Sequence, residues 1–164
     1  MSKIAVMFVC LGNICRSPAG EGILKDLAEK GGYSNKLHVE SCGTGNWHIG
    51  SLPDSRMREA ASKRGIDLSS RAQEFRGAFF GKFDYILAAD NHILQELLSL
   101  AGDDESKGKL YLINDFSKSF KGQDVPDPYY GGDQGFEKVL DMFEEACAGL
   151  LATIFECGHE GKST

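Results

Sequence analysis

Two side chains that can do chemistry on a phosphoryl group lie six positions apart near the start of the chain. Cys10 becomes a strong nucleophile when it is ionised, and the guanidinium of Arg16 can hold two phosphate oxygens at once. Ser17 follows directly and could donate a hydrogen bond to the sulfur. This spacing predicts a loop that binds a phosphate above a cysteine thiolate, so that the sulfur can attack the phosphorus.

The residues around this segment predict a strand before it and a helix after it. Ile4 to Val9 is a continuous apolar run, which is typical of a central parallel strand. Ser17-Pro18 is expected to begin the helix, with the serine as its N-cap and the proline at its first position. The N–H groups of such a turn point inward, and the helix dipole adds positive potential, so the turn favours both phosphate and thiolate.

Gly12 and Asn13 supply the backbone freedom that a loop of this kind needs. Glycine and asparagine accept left-handed backbone angles that other residues avoid. The segment contains no Gly-Lys-Ser or Gly-Lys-Thr, so it does not match the phosphate loop of nucleotide hydrolases. The alternative interpretation is that Cys10 ends a buried strand as a small apolar residue.

The chain has five cysteines, an odd number that argues against a disulfide scaffold and for a reducing compartment. We therefore expect a cytoplasmic location. The spacing of cysteines and histidines does not match a zinc site, so neither a metal nor another cofactor is expected. Cys15 either packs in the core or forms a reversible disulfide with Cys10, which would protect the nucleophile from irreversible oxidation.

Cleavage of a phosphate ester without a metal needs a general acid to protonate the leaving group. The segment Asp127-Pro128-Tyr129-Tyr130 offers one, because proline stiffens the backbone that presents Asp127. The two tyrosines beside the acid, Tyr129 and Tyr130, could then form a wall for an aromatic group. Asp124 is a competing acid, and the alternative for the whole segment is an ordinary Asp-Pro turn with solvated tyrosines.

Strands alternate with helices along the chain, which predicts a three-layer α/β domain. We expect a four-stranded, mostly parallel sheet with helices on both faces, and a ligand at the carboxyl ends of its strands. The predicted strands are residues 4–9, 37–41, 83–89 and 109–113, and the predicted helices begin at residues 17, 54, 90 and 135. Asn114 to Gly132 is long enough to be a functional loop.

The size and charge of the chain exclude several classes of protein. Its 164 residues suit a single domain, which we place at residues 1–157, with a flexible tail at residues 158–164. The net charge of −6 argues against nucleic acid and anionic membranes as partners. The N-terminal apolar run is shorter than the roughly 20 residues that cross a bilayer. We expect a monomer or a weak dimer.

One stretch of the chain departs from this acidic balance. Arg56 to Lys82 holds seven basic and three acidic residues. The stretch is either a solvated face or a docking surface for an anionic partner.

Five segments together resemble the low-molecular-weight protein tyrosine phosphatases. In chain order they are VCLGNICRSP, GTGNWHIG, PDSRM, FDYILAAD and DPYYGG. The resemblance covers about residues 3 to 157, and the first and last motifs together are specific. It implies the flavodoxin-like phosphotyrosine phosphatase I fold and a metal-independent hydrolysis of phosphotyrosine in proteins through a cysteinyl-phosphate. Small aryl phosphates would be further substrates, and phosphate or other oxyanions would bind in the loop.

The resemblance also implies roles by position. Cys10 is expected to be the nucleophile, Arg16 the clamp on the transition state, and Asp127 the acid that later activates water. Residues expected to bind the phosphate or the substrate lie in the loop or form an aromatic wall: Leu11, Gly12, Asn13, Ile14, Cys15, Ser17, Trp47 and Tyr129. Ser41 and Asp90 fall where the family has polar groups near the loop.

The sequence departs from the family's pattern at one position. Many members carry a histidine after the central helix that hydrogen-bonds into the loop, whereas the aligned stretch Leu68-Ser69-Ser70-Arg71 has none. Serine hydroxyls are expected to hold the loop instead. His48 and His92 are expected to have surface or packing roles.

Three alternatives to a phosphatase stay open at this point. An arsenate reductase would share the fold and the loop, but it would relay oxidation through further cysteines, and none lies between Cys42 and Cys147. A non-catalytic module would only bind phosphorylated partners. A redox sensor would use Cys10 and Cys15 as its output.

Overall fold

The computed structural model describes residues 3–128 and 133–157, and in this part the chain forms one four-stranded sheet. The strands are β1 (Ile4–Cys10), β2 (Leu37–Gly43), β3 (Tyr85–Ala88) and β4 (Leu110–Leu112). Their order across the sheet is β2-β1-β3-β4, and each neighbouring pair is parallel.

Five α-helices connect or follow these strands in the described residues. They are α1 (Arg16–Gly31), α2 (Ser55–Ser62), α3 (Asn91–Leu100), α4 (Asp104–Lys107) and α5 (Asp133–Ala152). Short 3-10 turns occupy Ser34–Lys36, Gly77–Gly81 and Ile113–Phe116, and a π-helical turn, Thr153–Cys157, continues α5. None of the helices described is long and apolar enough to cross a membrane.

Strand β1 lies at the centre of the molecule because it is buried on both faces. Val6 and Phe8 belong to a core shared with α1, α2 and α5. Met7 and Val9 belong to a second core, shared with α3 and the Gly77–Gly81 turn. Successive side chains of a strand point to opposite faces, which explains why the whole run is apolar rather than alternating. The prediction of three layers is confirmed.

The register of the sheet brings the ends of three strands to one edge. Cys10 at the end of β1 pairs with Gly43 at the end of β2, and Val9 pairs with Ala88 at the end of β3. The segments that follow these strands therefore start close together. Asp90, two residues beyond β3, caps α3 by accepting from the N–H of Ile93 at 2.8 Å.

The structure confirms the predicted strands and helices but corrects their details. Ser17 does not cap the first helix: α1 begins at Arg16, Cys15 is at the N-cap without a side-chain bond, and the Ser17 hydroxyl lies next to Cys10 instead. Helix α4 was not predicted, because four residues are too few to show a periodicity. The tail predicted at residues 158–164 lies outside the described residues.

Helix α5 packs against the Ile113–Phe116 turn at Gly149. A Cβ built on Gly149 would lie 1.9 Å from the carbonyl oxygen of Phe116, so the two backbones approach closely only because the residue is glycine. Glu145 of α5 also accepts hydrogen bonds from the hydroxyl of Ser117 and the N–H of Ser119. Helix α5 thus anchors the start of the long connection that leads to Asp127.

Overpacking usually costs about 1–3 kcal/mol, whereas alanine gains about 1 kcal/mol over glycine in a helix. We therefore expect Gly149→Ala to lower the free energy of unfolding by up to about 2 kcal/mol. Urea denaturation measures the change. Gly102→Ala is the control, because a Cβ there meets nothing within 4 Å. Equal stability of the two variants would contradict the close approach.

Candidate active site

The segment from Cys10 to Arg16 forms a loop that is held against the chain after β2. The N–H of Thr44 donates to the carbonyl of Cys10 at 2.9 Å, and the N–H of Gly45 donates to that of Leu11 at 2.8 Å. A Cβ built on Gly43 would lie 2.6 Å from the Leu11 carbonyl oxygen. The loop can lie this close to β2 because Gly43 has no side chain.

Asn13 sets the shape of the loop and is the centre of a buried hydrogen-bond network. Its φ is 58°, the only positive φ of a non-glycine residue in the described part of the chain. Its Nδ2 donates to Ser17 Oγ at 2.7 Å and to Ser41 Oγ at 3.0 Å. Its Oδ1 accepts from the backbone N–H of Gln73 at 2.9 Å. Since a backbone N–H can only donate, this last bond fixes the orientation of the amide.

The network ends at a buried carboxylate on α1. Ser41 Oγ donates to Glu21 Oε1 at 2.6 Å, and Lys25 Nζ donates to Glu21 Oε2 at 2.7 Å. Because the Ser41 hydroxyl gives its hydrogen to Glu21, its oxygen is free to accept from Asn13. Glu21 and its lysine therefore fix the direction of the hydrogen bonds that lead back to the loop.

Cys10 Sγ lies 3.0 Å from Ser17 Oγ, at the other end of this network. Ser17 Oγ already accepts from Asn13, so its own hydrogen points to the sulfur or to the carbonyl of Cys42, which is 3.2 Å away. A hydroxyl that donates to sulfur stabilises the ionised form. The network is thus arranged to support a thiolate.

Arg16 connects the loop with the segments that follow β3 and β4. Its Nη1 donates to Asp90 Oδ2 at 2.7 Å and to the carbonyl of Val125 at 2.9 Å, while its Nη2 lies 3.8 Å from Asp127 Oδ2. Burial alone would lower the pKa of Arg16, but negative charge at Cys10 and Asp90 outweighs burial and raises the pKa. The guanidinium is therefore charged and held in one orientation.

Asp127 and Asp124 lie on the same segment but have different surroundings. Asp124 Oδ1 accepts from the backbone N–H of Asn91 at 2.8 Å, at the start of α3. Asp127 lines the same cleft as Cys10. The arrangement favours Asp127 over Asp124 as the acid that faces a ligand.

The cleft above Cys10 has a volume of about 410 Å³. Its lining residues are Cys10, Leu11, Gly12, Ile14, Cys15, Arg16, Trp47, His48 and Asp127. Eight of these nine residues were predicted as site residues, and the structure brings them together in one cleft. His48 is the ninth and was not predicted there. Asn13 and Ser17 are buried, and their side chains support the loop from the network described above. Tyr129 was also predicted here, but it lies outside the described residues.

Trp47 and His48 form the wall of the cleft on the β2 side. The Trp47 ring packs over Gly45, where a Cβ would lie 1.9 Å from it. The His48 ring packs against Gly12, with Cδ2 3.1 Å from a Cβ built there. The packing role expected for His48 agrees with this contact, but its ring also lines the cleft, which was not expected. His92 is exposed on α3, as expected.

Three further cysteines whose side chains the structure describes differ from Cys10 in their surroundings. Cys15, Cys42 and Cys147 are buried and free in this structure. Burial raises the pKa of Cys15, and the Asp54 carboxylate raises it further. Burial also raises the pKa values of Cys42 and Cys147. These three thiols stay protonated at neutral pH, and a Cys10–Cys15 disulfide remains a prediction.

Several supporting residues were missed by the sequence analysis. Ser17 and Glu21 lie four residues apart on α1, a spacing that places both on one face of the helix and could have revealed Glu21. Gln73 and Val125 contribute backbone groups, for which a sequence carries no signal. Among the described residues, no three His, Cys, Asp or Glu side chains are grouped to hold a metal ion.

The family model described as low molecular weight phosphotyrosine protein phosphatase matches residues 5–159. The chain belongs to this family. The phosphatase is 40% identical over 152 residues to a low molecular weight protein-tyrosine-phosphatase of Bacillus subtilis, which covers 92% of this chain and 96% of the relative. It is also 40% identical over 153 residues to the low molecular weight phosphotyrosine protein phosphatase of Schizosaccharomyces pombe, with 93% and 97% covered.

A solved structure is similar to this phosphatase over nearly its whole length. The protein tyrosine phosphatase of Entamoeba histolytica, crystallised with Hepes in the active site, is 39% identical and gives a TM-score of 0.91. The match covers 98% of this chain and 99% of that chain. The predicted family and fold are confirmed.

Two substitutions at Asn13 separate its backbone from its side chain. Asn13→Gly keeps the positive φ accessible but removes three hydrogen bonds, and we expect kcat/KM on an aryl phosphate to fall by about tenfold or more. Asn13→Ala should lose about a further fivefold, because a left-handed alanine costs about 1–2 kcal/mol. Steady-state kinetics measures both losses. The exposed Asn46, changed to alanine, is the control. Equal losses in the two Asn13 variants would show that the backbone angle is not important.

Proposed function

We propose that this phosphatase hydrolyses phosphotyrosine in two steps, with Cys10 as the nucleophile and Asp127 as the proton donor. Family membership supplies the reaction class, protein tyrosine phosphate hydrolysis. The observation that carries the assignment of roles is that Cys10, Arg16 and Asp127 line one cleft at the end of β1.

In the first step, the thiolate of Cys10 attacks phosphorus, and the bond between phosphorus and the phenolic oxygen breaks. The loop N–H groups and Arg16 bind the non-bridging oxygens, on which negative charge is concentrated. Asp90 and the Val125 carbonyl already hold Arg16 in place. The guanidinium therefore needs little reorganisation when the transition state forms.

The departing phenolic oxygen takes a proton from Asp127. This transfer avoids the release of a phenolate, which is a poor leaving group at neutral pH. In the second step, water attacks the cysteinyl-phosphate, and the ionised Asp127 accepts a proton from that water. The bond between phosphorus and sulfur breaks, phosphate leaves, and the thiolate is restored.

The walls of the cleft suit a phosphorylated aromatic ring. The exposed face of Trp47 at the mouth offers a surface on which a phenyl ring can stack. We therefore expect phosphotyrosine in proteins and small aryl phosphates to be substrates. Hepes, found in the active site of the Entamoeba protein, carries a sulfonate, which is a tetrahedral oxyanion like phosphate.

The remaining properties are proposed from the same assignment together with the length, cysteine content and charge of the chain. Phosphate and other tetrahedral oxyanions should compete with substrate for the loop, and the acidic chain should not bind nucleic acid or membranes. We place the catalytic domain at residues 1–157, in the cytoplasm, as a monomer or weak dimer.

The surroundings of the cysteines favour a phosphatase over an arsenate reductase. A relay of oxidation needs a second thiol that can reach the first, and Cys42 and Cys147 are buried in the core and are not among the residues that line the cleft. Cys15 remains as a partner for Cys10, which is compatible with redox regulation of a phosphatase.

Selective alkylation tests the role of Cys10. At neutral pH, brief exposure to iodoacetate should modify Cys10 at least about tenfold faster than Cys15, because only Cys10 is supported as a thiolate. Peptide mapping by mass spectrometry measures the two rates. Inorganic phosphate should slow the reaction, and Cys10→Ser should abolish turnover of an aryl phosphate. Faster modification of Cys15, or turnover by Cys10→Ser, would exclude this nucleophile.

The role of Asp127 is tested against its neighbour Asp124. Asp127→Asn should lower kcat on phenyl phosphate by roughly 10²–10⁴. The loss on nitrophenyl phosphate should be smaller, because nitrophenolate is a good leaving group and can depart without being protonated. Asp124→Asn removes a carboxylate that bonds to α3, so kcat should stay within about twofold of wild type. Equal losses in both variants would rule out Asp127 as the specific acid.

A further inference from the structure

Large apolar side chains are exposed beside the cleft, in residues 47–52, which we call the rim. In the described part of the chain, four large apolar residues are strongly exposed, and three belong to the rim: Trp47 (68%), Ile49 (58%) and Leu52 (38%). The fourth, Leu100 (60%), is the last residue of α3. Clustered apolar exposure of this kind is typical of a binding surface.

The rim is a fixed structure. The N–H of Gly50 donates to the carbonyl of Ala72 at 2.8 Å, and the N–H of Ala72 donates back to that of Ser51 at 2.9 Å. Just beyond the rim, the N–H of Asp54 donates to the carbonyl of Ile14 in the cysteine loop at 2.7 Å. The apolar side chains are therefore presented at a constant position relative to the cleft.

Two arginines place positive charge beside these apolar side chains. Arg71 Nη1 donates to the carbonyl of Gly50 at 3.2 Å, and Arg58 Nε donates to that of Pro53 at 3.0 Å. Both residues are exposed, and within the described residues these bonds are to neutral carbonyls, so the charges are not neutralised there. Two positive charges thus border the rim in a protein whose net charge is −6.

We propose that the rim binds the residues that flank phosphotyrosine in the substrate protein. It selects flanking segments that combine an apolar side chain, which covers Ile49 and Leu52, with carboxylates, which pair with Arg58 and Arg71. This inference rests on the proposed function, because a phosphotyrosine bound above Cys10 carries its neighbouring residues to the mouth of the cleft. The rim is continuous with that mouth through Trp47.

Three phosphopeptides of equal length test the selection. The first has alanine on both sides of phosphotyrosine, the second has leucine at the positions next to it, and the third adds glutamates beyond the leucines. We expect wild-type kcat/KM to be about tenfold higher for the third peptide than for the first, a difference of about 1.4 kcal/mol. Raising the salt concentration should reduce the advantage of the third peptide over the second.

Variants of the rim show which residues give the selection. Ile49→Ser and Leu52→Ser should each lower kcat/KM for the leucine peptides by about threefold or more, while turnover of a small aryl phosphate stays within twofold. Arg58→Gln and Arg71→Gln should remove the advantage of the glutamates. Leu100→Ser is the matched control, since Leu100 is as exposed as Ile49 but lies on α3, and it should leave all substrates unchanged.

The outcomes separate this inference from the proposed function. If wild type hydrolyses the aryl phosphate but treats the three peptides alike, the rim does not select flanking residues and the phosphatase assignment stands. If neither the aryl phosphate nor any peptide is hydrolysed, the proposed function fails and the inference with it. If Ile49→Ser instead abolishes a concentration-dependent dimer seen by sedimentation, the rim is an interface between two copies of the chain, and the inference is wrong.

Discussion

The left-handed backbone at Asn13 and the three hydrogen bonds of its side chain are what the whole cleft depends on. An asparagine in this conformation costs free energy, but each buried bond contributes about 0.5–1.5 kcal/mol. The bonds also join three parts of the chain, since Ser17 lies in the first turn of α1, Ser41 lies in β2 and Gln73 follows α2. The loop is therefore rigid before a ligand arrives, and its N–H groups need not reorganise.

Arg16 extends this rigidity to the segment that carries Asp127. Its guanidinium bonds to Asp90 after β3 and to the carbonyl of Val125, two residues before Asp127. The N–H of Val125 in turn donates to the carbonyl of Ala89 at 2.8 Å. Because β1 and β3 are adjacent and parallel, Cys10 and Asp127 are positioned from the same edge of the sheet.

The sequence predicted those features that depend on residue type and local pattern. The apolar run of β1 revealed a strand covered on both faces, and the types in the loop revealed phosphate chemistry. Ser17 was assigned to the wrong role because a serine before a proline is a strong local N-cap signal, whereas its actual partners, Cys10 and Asn13, are set by the folded loop. His48 was missed because its position depends on the turn that places its ring on Gly12. The carbonyl of Val125 has no signature in any sequence.

In the proposed function the loop holds only the phosphoryl group of the substrate, so discrimination between phosphoproteins must come from surfaces outside the loop. The rim is joined to the loop and to the chain after α2 by backbone hydrogen bonds: Gly45 to Leu11, Asp54 to Ile14, and Gly50 to Ala72. Backbone bonds do not depend on side-chain identity. The exposed side chains at positions 49 and 52 can therefore change without moving Cys10 or Arg16. In the proposed function, selection and chemistry therefore depend on different atoms, so the same loop could serve different substrates.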